Sequence, residues 1–324
     1  MPSITLRLRL RQSRPSIALL LVRAFSFILR LLPLRAVLPL GRLLGQLARA
    51  ALPFRRSVVR ANLVATGYAA DDVDLERRAY EHAGSALLIA LLPSESSARL
   101  LSYTPSLLRD EFEADCRLGG VIVCSAHVGV WELVPAALSR HLPERARRHG
   151  VIVYRPLHDE SLDRWLRCHR RSAAAGLTLM AADGCCKALR RSLALGGLVG
   201  LVADQRPASG RASVAAELLG QQSEFSPGLV ALHRSTGAPV WFAAVIVDST
   251  SPTRTCLRLH LERLAPRAGT PTASTTTAST MAAADKLVQC YADAVTRMVR
   301  TAPEQFYWFH RRFTSLGRRH GKAG

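Results

Sequence analysis

The sequence predicts an α/β fold: a central mixed, largely parallel sheet flanked by helices, preceded by an N-terminal membrane-associated helical segment. Three observations lead there. Short apolar runs alternate along the chain with longer stretches whose apolar residues recur at helical spacing, and strand–helix alternation of this kind builds a sheet covered by helices. The first 60 residues hold twelve arginines and no Asp or Glu, with strongly apolar sequence between the arginines. Finally, His127 and Asp204 each stand where a strand-like run stops, and in such sheets the chemistry collects at strand ends.

The N-terminal element comes first. Its apolar blocks are Ile17 to Val22, Phe25 to Leu29 and Val37 to Leu40. Arg23 and Arg30 are seven residues apart, and beyond Pro33 the trio Arg35, Arg42 and Arg49 repeats that interval, so each helix carries its arginines on one face. That is the pattern of a helix lying in a membrane interface. A full span needs about 20 apolar residues in a row, and Arg23 and Arg30 interrupt this one, although arginines near the ends of a span snorkel. The expectation is a monotopic or shallow anchor over residues 15–50. Anionic lipids attract basic residues by about 1 kcal/mol each, which places it on the cytoplasmic leaflet. A cleaved secretory signal fits less well, because the apolar stretch runs on too far without a small-residue cleavage site. Residues 1–60 are therefore assigned to the anchor and 61–324 to a single α/β domain; 324 residues with 48% hydrophobic content suffice for one large core.

Residues 70–110 read as helices, with apolar positions at helical spacing in ERRAYEHAGSALLIALL and a turn starting at Pro93-Ser94. Strands are expected at 120–126, 150–154, 197–203, 238–247 and 255–261. The last alternates Leu257, Leu259 and Leu261 with Arg258, His260 and Glu262, as a half-exposed strand does. Helices are expected at 160–174, 184–195 and 226–236, and over Val130 to Ala137 after a turn at Gly129. The Thr-, Ala- and Ser-rich stretch from Gly269 to Thr280 reads as a surface loop, followed by a helix from Met281 to Val299. There is no internal repeat, no GxxxxGK[ST] loop and no convincing GxGxxG.

A net charge of +20 and a pI near 11.0 imply an anionic partner: nucleic acid, an acidic lipid surface or an acidic protein. Nucleic-acid binders usually mix basic residues with polar ones or present aromatic stacking platforms. Here the arginines alternate with aliphatic blocks, so a membrane surface is expected and nucleic acid is not. The seven cysteines include no CxxC set of the zinc-binding type. The vicinal Cys185-Cys186 pair admits a redox reading, but buried reduced cysteines in a cytosol-facing domain are the expectation, with no disulfide and no metal.

The chemistry-bearing run is GVIVCSAHVGVWELVPAAL. On one helix, His127 and Glu132 would sit about 140° apart and would not meet. With Val121 to Val123 in a strand, Gly129 in a turn and Glu132 at the mouth of a helix, the chain can instead fold the carboxylate back onto the imidazole. A carboxylate on one ring nitrogen fixes the tautomer and raises the basicity of the other, which is what removing a proton from an alcohol requires. Taken alone, the pair also fits a histidine closing a strand and a glutamate at a helix N-terminus. A serine hydrolase using Ser125 or Ser226 with His127 lacks a GxSxG elbow. A non-catalytic membrane scaffold also fits the anchor, and only the intact His127 and Glu132 speak against it. In the C-terminal FYWFHRRF, the default role of the aromatic residues is to pack the sheet edge, while Arg311 and Arg312, like Arg155, can clamp a phosphorylated sugar or the phosphopantetheine of a carrier.

Four ordered runs resemble the lipid A late acyltransferases, the lauroyl/myristoyl acyltransferase family of the lysophospholipid acyltransferase superfamily. SAHVGVWE matches the family's SxHxGxWE signature, with Val130 where Asn is usual. VYRPLHDESLDRWLRCHR is similar to the YRP segment and its helix, placing Tyr154, Arg155, Pro156, Leu162, Asp163 and Arg170. GGLVGLVADQ resembles the strand ending in an Asp-Gln or Asp-His pair, here Asp204 and Gln205, and APEQFYWFHRRF is close to PEQYxWxHRRF. The resemblance covers nearly the whole chain and implies a glycerolipid-acyltransferase-like fold. It also implies acyl transfer to a lipid alcohol, with His127 as general base oriented by Glu132. Arg170 and Asp204 are added as catalytic positions, Arg170 for a phosphate or oxyanion and Asp204 to orient that arginine or bind the acceptor; otherwise they form an ordinary helix–strand ion pair. Arg155, Gln205, Arg311 and Arg312 are the implied substrate-binding residues. No cofactor is implied. The donor is expected to be acyl-acyl carrier protein or acyl-coenzyme A. The acceptor is a glycolipid such as a lipid A precursor, with phosphatidylinositol mannosides or lysophospholipids as alternatives. A monomer is expected.

Overall fold

The computed structural model describes residues 16–69, 72–92, 96, 99, 101–102, 106–173, 176–208, 210–248, 256–268 and 280–313. Four helices lead the chain. Helix α1 (Ile17–Leu31) starts where the Ser16 hydroxyl accepts the Leu19 N–H at 3.1 Å. Pro33 separates it from α2 (Leu34–Ala51), which is followed by α3 (Pro53–Ala65) and by α4 (Val73–Leu91), capped by Asp72. Leu19, Ser26 and Leu29 face inward on α1, whereas Ile17, Leu20, Leu21, Phe27, Ile28 and Leu31 form an exposed apolar stripe at helical spacing. No described helix is long and apolar enough to cross a membrane.

These helices are built onto the rest of the protein. Helices α2 and α4 cross at backbone contact: a Cβ on Gly45 would lie 2.1 Å from the Tyr80 carbonyl oxygen, and one on Gly84 would lie 2.1 Å from that of Gly41. Only glycine permits so close an approach. The expected boundary between residues 60 and 61 falls inside α3, and Arg49, on the expected basic stripe of α2, turns to the buried Glu76 of α4.

The sheet follows. In chain order come β1 (Leu101–Ser102), α5 (Ser106–Leu118), β2 (Val121–Ser125), α6 (Val134–Ser139), α7 (Glu144–Arg148), β3 (Val151–Tyr154), α8 (Glu160–Ala173), β4 (Thr178–Ala181), α9 (Cys186–Ala194) and β5 (Leu198–Val202). After these lie β6 (Val214–Leu218), β7 (Gln221–Phe225), α10 (Gly228–Thr236), β8 (Val240–Asp248), β9 (Cys256–Ala265) and α11 (Thr280–Thr301). Seven strands form one sheet in the order β1-β9-β8-β2-β5-β3-β4. All its pairings are parallel except β8 with β9. The sheet is thus mixed and mostly parallel, as expected, and β2 is buried along its whole length. Ile122 and Cys124 point into one core layer, Val121 and Val123 into the other, the period-two consequence of a strand covered on both faces.

Several details differ from expectation. Strands β1 and β4 and the β6–β7 hairpin were not anticipated. QQSEF is polar, and its hairpin is fixed from outside by Gln289 of α11, which bonds both the N–H and the C=O of Glu217 at 2.9 and 3.0 Å. The helix expected over Val130 to Ala137 is a single 3-10 turn, Trp131–Leu133, followed by the short α6. The Pro93-Ser94 turn and residues 269–279 lie outside the described residues. Cys116, Cys124 and Cys185 are buried, whereas Cys168 and Cys186 are exposed.

Candidate active site

The site is assembled by strand register. β2 and β5 are parallel neighbours with Ser125 opposite Val202, and the Ala203 N–H continues the ladder to the Ser125 carbonyl at 3.0 Å. Two residues further along each strand, His127 and Asp204 stand side by side. His127 Nδ1 lies 2.7 Å from Asp204 Oδ1. The Nδ1–H therefore donates to the carboxylate, and Nε2 carries the free lone pair.

The loop after His127 is locked from two sides. Gly129 has φ +63°, its N–H donates to the Gln305 carbonyl at 2.8 Å, and a Cβ there would lie 2.0 Å from the Val245 carbonyl oxygen. Val130 N–H donates to that Val245 oxygen at 2.7 Å, and Tyr307 N–H to the His127 carbonyl at 2.9 Å. The C-terminal segment thus runs alongside the loop. Half-buried His82 of α4 contacts the Gly129 carbonyl through Nε2 at 3.3 Å, and desolvation pulls its pKa down to about 4.

The expected partnership between His127 and Glu132 is corrected here. Glu132 gives both carboxylate oxygens to Arg170 of α8, accepting from Nε at 2.8 Å and from Nη2 at 2.5 Å. The 3-10 turn carries Glu132 toward α8, while the strand ladder delivers Asp204 to the imidazole. Asp204, expected beside Arg170 or the acceptor, is instead the partner of His127. Arg170 is fully forked onto Glu132 rather than open to a phosphate.

The charges are coupled. Burial pushes the Asp204 carboxyl up, but the His127 and Arg312 charges and the hydrogen bond to His127 outweigh it and hold the group at about 2. Burial pulls His127 down, and the Asp204 charge and hydrogen bond, with the Glu132 charge, lift it above its ordinary value. Gln205 donates from Nε2 to His127 Nε2 at 3.3 Å and to His310 Nε2 at 3.1 Å. His310, pulled down chiefly by burial and by the His127 charge, accepts that bond in its neutral form.

Aromatic residues wall the site. Trp131 lies 5.0 Å, His310 5.5 Å and Tyr307 6.1 Å from the His127 ring. Sequence reasoning misses His310, although it lies within FYWFHRRF, because the aromatic residues and the arginines of that run carry the stronger signals. Arg312 is stacked over Phe225 at 4.9 Å, with buried Nε and Nη2 that have no hydrogen-bond partner among the described residues, within electrostatic reach of Asp204. Arg311 and Arg155 are exposed, and no described contact brings either to His127. Between α1, α4 and α8 lies an open apolar groove of about 380 Å³ lined by residues including Leu21, Phe25, Leu91, Leu162 and Trp165. Among the described residues no group of His, Cys, Asp and Glu could hold a metal ion.

A polarised imidazole stands at the C-terminal ends of parallel strands, and a family model matches the chain: that of the bacterial lipid A biosynthesis acyltransferases aligns with residues 8–315. The chain belongs to that family. The match spans the helical lead, the sheet and the C-terminal aromatic run, so the residues gathered around His127 lie within it. No curated protein sequence matches the chain.

Proposed function

We propose that the protein transfers a fatty acyl group from an acyl thioester to a hydroxyl of a glycolipid, a lipid A precursor, at the cytoplasmic face of the inner membrane. The observation that carries this reading is the bond from His127 Nδ1 to Asp204, 2.7 Å long, which leaves Nε2 as the base. The acceptor hydroxyl displaces the Gln205 amide and gives its proton to His127 Nε2 as its oxygen attacks the thioester carbonyl. The C–S bond then breaks, the proton passes from Nε2 to the departing thiolate, and the ester remains.

In this scheme Asp204 orients and polarises the imidazole, and Glu132 with Arg170 fixes the turn that follows it. The apolar groove between α1, α4 and α8 suits the acyl chain, being of ligand size and lined almost wholly by aliphatic and aromatic side chains. The donor is acyl-acyl carrier protein or acyl-coenzyme A, and the basic chain suits an acidic carrier. Arg155 and Arg311, both exposed, and Arg312 are assigned to phosphates of the donor or acceptor, and Gln205 to the acceptor hydroxyl. The scheme needs no metal or cofactor, the enzyme acts as a monomer, and no nucleic acid is bound. The exposed stripe of α1, with Arg23 and Arg30 among its leucines, lies in the membrane interface.

The test uses purified full-length protein with labelled acyl donors and a panel of phosphorylated glycolipid, phosphatidylinositol mannoside and lysophospholipid acceptors. Transfer is expected to the glycolipid, and His127→Ala is expected to lower it about 10²- to 10⁴-fold. A folded His127→Ala protein with full transfer would overturn the mechanism.

A further inference from the structure

Glu76 of α4 is buried, with 1% of its side chain exposed, and three arginines from two other helices converge on it. Arg49 of α2 donates from Nε to Oε1 at 2.7 Å, Arg56 of α3 donates from Nε to the same oxygen at 3.1 Å, and Arg60 of α3 donates from Nε to Oε2. One carboxylate balances one guanidinium, so two positive charges remain. Each arginine spends only Nε on the carboxylate. The terminal nitrogens make no hydrogen bond to any described residue, and the three side chains are 22%, 33% and 45% exposed. A clasp for one carboxylate does not require three like charges at this spacing. Forked donors held on a fixed base are what a phosphate needs.

The position is informative. One turn along α4, Tyr80 packs edge-on against Phe309 at 4.7 Å, and Phe309 touches Tyr307 at 5.0 Å, beside His127. Arg55, next to Arg56, donates to the Phe309 carbonyl at 3.0 Å. On α2, Arg49 is flanked by the exposed Leu47 and Leu52, so the trio combines an apolar surround with a short link to the active site.

We propose that Arg49, Arg56 and Arg60, arrayed over Glu76, bind the phosphate ester of a lipid. Only the choice of a lipid-borne phosphate rests on the reading of a glycolipid acceptor, and the test reads binding without turnover, so failure of one does not entail failure of the other. The full chain is sedimented with phosphatidylcholine vesicles carrying phosphatidylglycerol, a phosphorylated glucosamine lipid, or the same glycolipid after removal of its phosphates. Arg56→Gln/Arg60→Gln is expected to lose about tenfold or more in affinity for the phosphate-bearing vesicles and nothing for the dephosphorylated ones. Loss on the glycolipid vesicles alone assigns the site to the acceptor; equal loss on phosphatidylglycerol assigns it to headgroups in general. If the double variant does not fold, Arg56→Gln, which breaks the longest of the three bonds, is used with Glu76→Gln. The first should weaken and the second strengthen binding. No change on phosphate-bearing vesicles, or an equal loss on dephosphorylated ones, overturns the proposal.

Discussion

His127 owes its basicity to a carboxylate seventy-seven positions away in sequence rather than to the one five positions along. This gives a signed prediction. The Asp204 charge lifts the imidazole pKa and burial lowers it, so the acidic limb of the pH–rate profile, where His127 must lose its proton to act, should lie above the ordinary histidine value of about 6.5. Asp204→Asn removes the lifting charge and leaves the burial. Its limb should move to lower pH while kcat falls, and a limb that stays in place would show that Asp204 does not set the histidine. Glu132→Gln should behave differently: it removes one charge that lifts His127 but keeps the Nδ1 bond, and it leaves Arg170 without its anion. The expected result is a kcat loss of about 10- to 100-fold through misplacement of the turn, with a smaller pH shift than for Asp204→Asn. The roles of the two acids invert if the larger pH shift comes from Glu132→Gln.

Among elements, the loop after His127 and α1 carry the clearest consequences. Gly129 sits in left-handed backbone against the Val245 carbonyl, so Gly129→Ala should cost about 2–4 kcal/mol of stability, readable as a lowered denaturation midpoint. On α1 the exposed stripe has no partner among the described residues. Leu20→Asp/Phe27→Asp should therefore release the protein from vesicles of anionic lipid without lowering its melting temperature, because both side chains lie at the surface. A fall in melting temperature would mean instead that another protein segment covers the stripe. The elements themselves were largely legible in the sequence. The strands at Val121–Ser125 and Leu198–Val202 and the helix Glu160–Ala173 lie where apolar runs and helical periodicity put them. The hairpin β6–β7 was not, because Gln221, Gln222 and Glu224 carry no strand-like apolar pattern and the hairpin docks through Gln289.

Over the whole molecule, the positive charge is a property of association rather than of fold. Binding of the full chain to anionic vesicles should weaken as salt rises through the physiological range, where the Debye length is about 8 Å, while the apolar stripe retains a residual, salt-independent part. Complete release at high salt would assign the contact to charge alone. The N-terminal arginines do not all contribute a full charge to such a surface, since Arg49, Arg56 and Arg60 share one buried carboxylate and offer only the charge it leaves unbalanced. Helices α2 to α4 are therefore tied to one another through polar contacts as well as backbone approach, and Asn62 and Arg55 of α3 tie them to the C-terminal run through the Trp308, His310 and Phe309 carbonyls.

By itself the sequence determined the fold class, the places where strands stop, the histidine delivered to one of those stops, and the basic, apolar character of the lead. Each of these is written in local periodicity, in turn residues or in short motifs. The tertiary structure alone decided which carboxylate meets the histidine, because that depends on which strands are neighbours and in what register. Ser125 opposite Val202 sets Asp204 beside His127, and the one 3-10 turn after Gly129 hands Glu132 to Arg170.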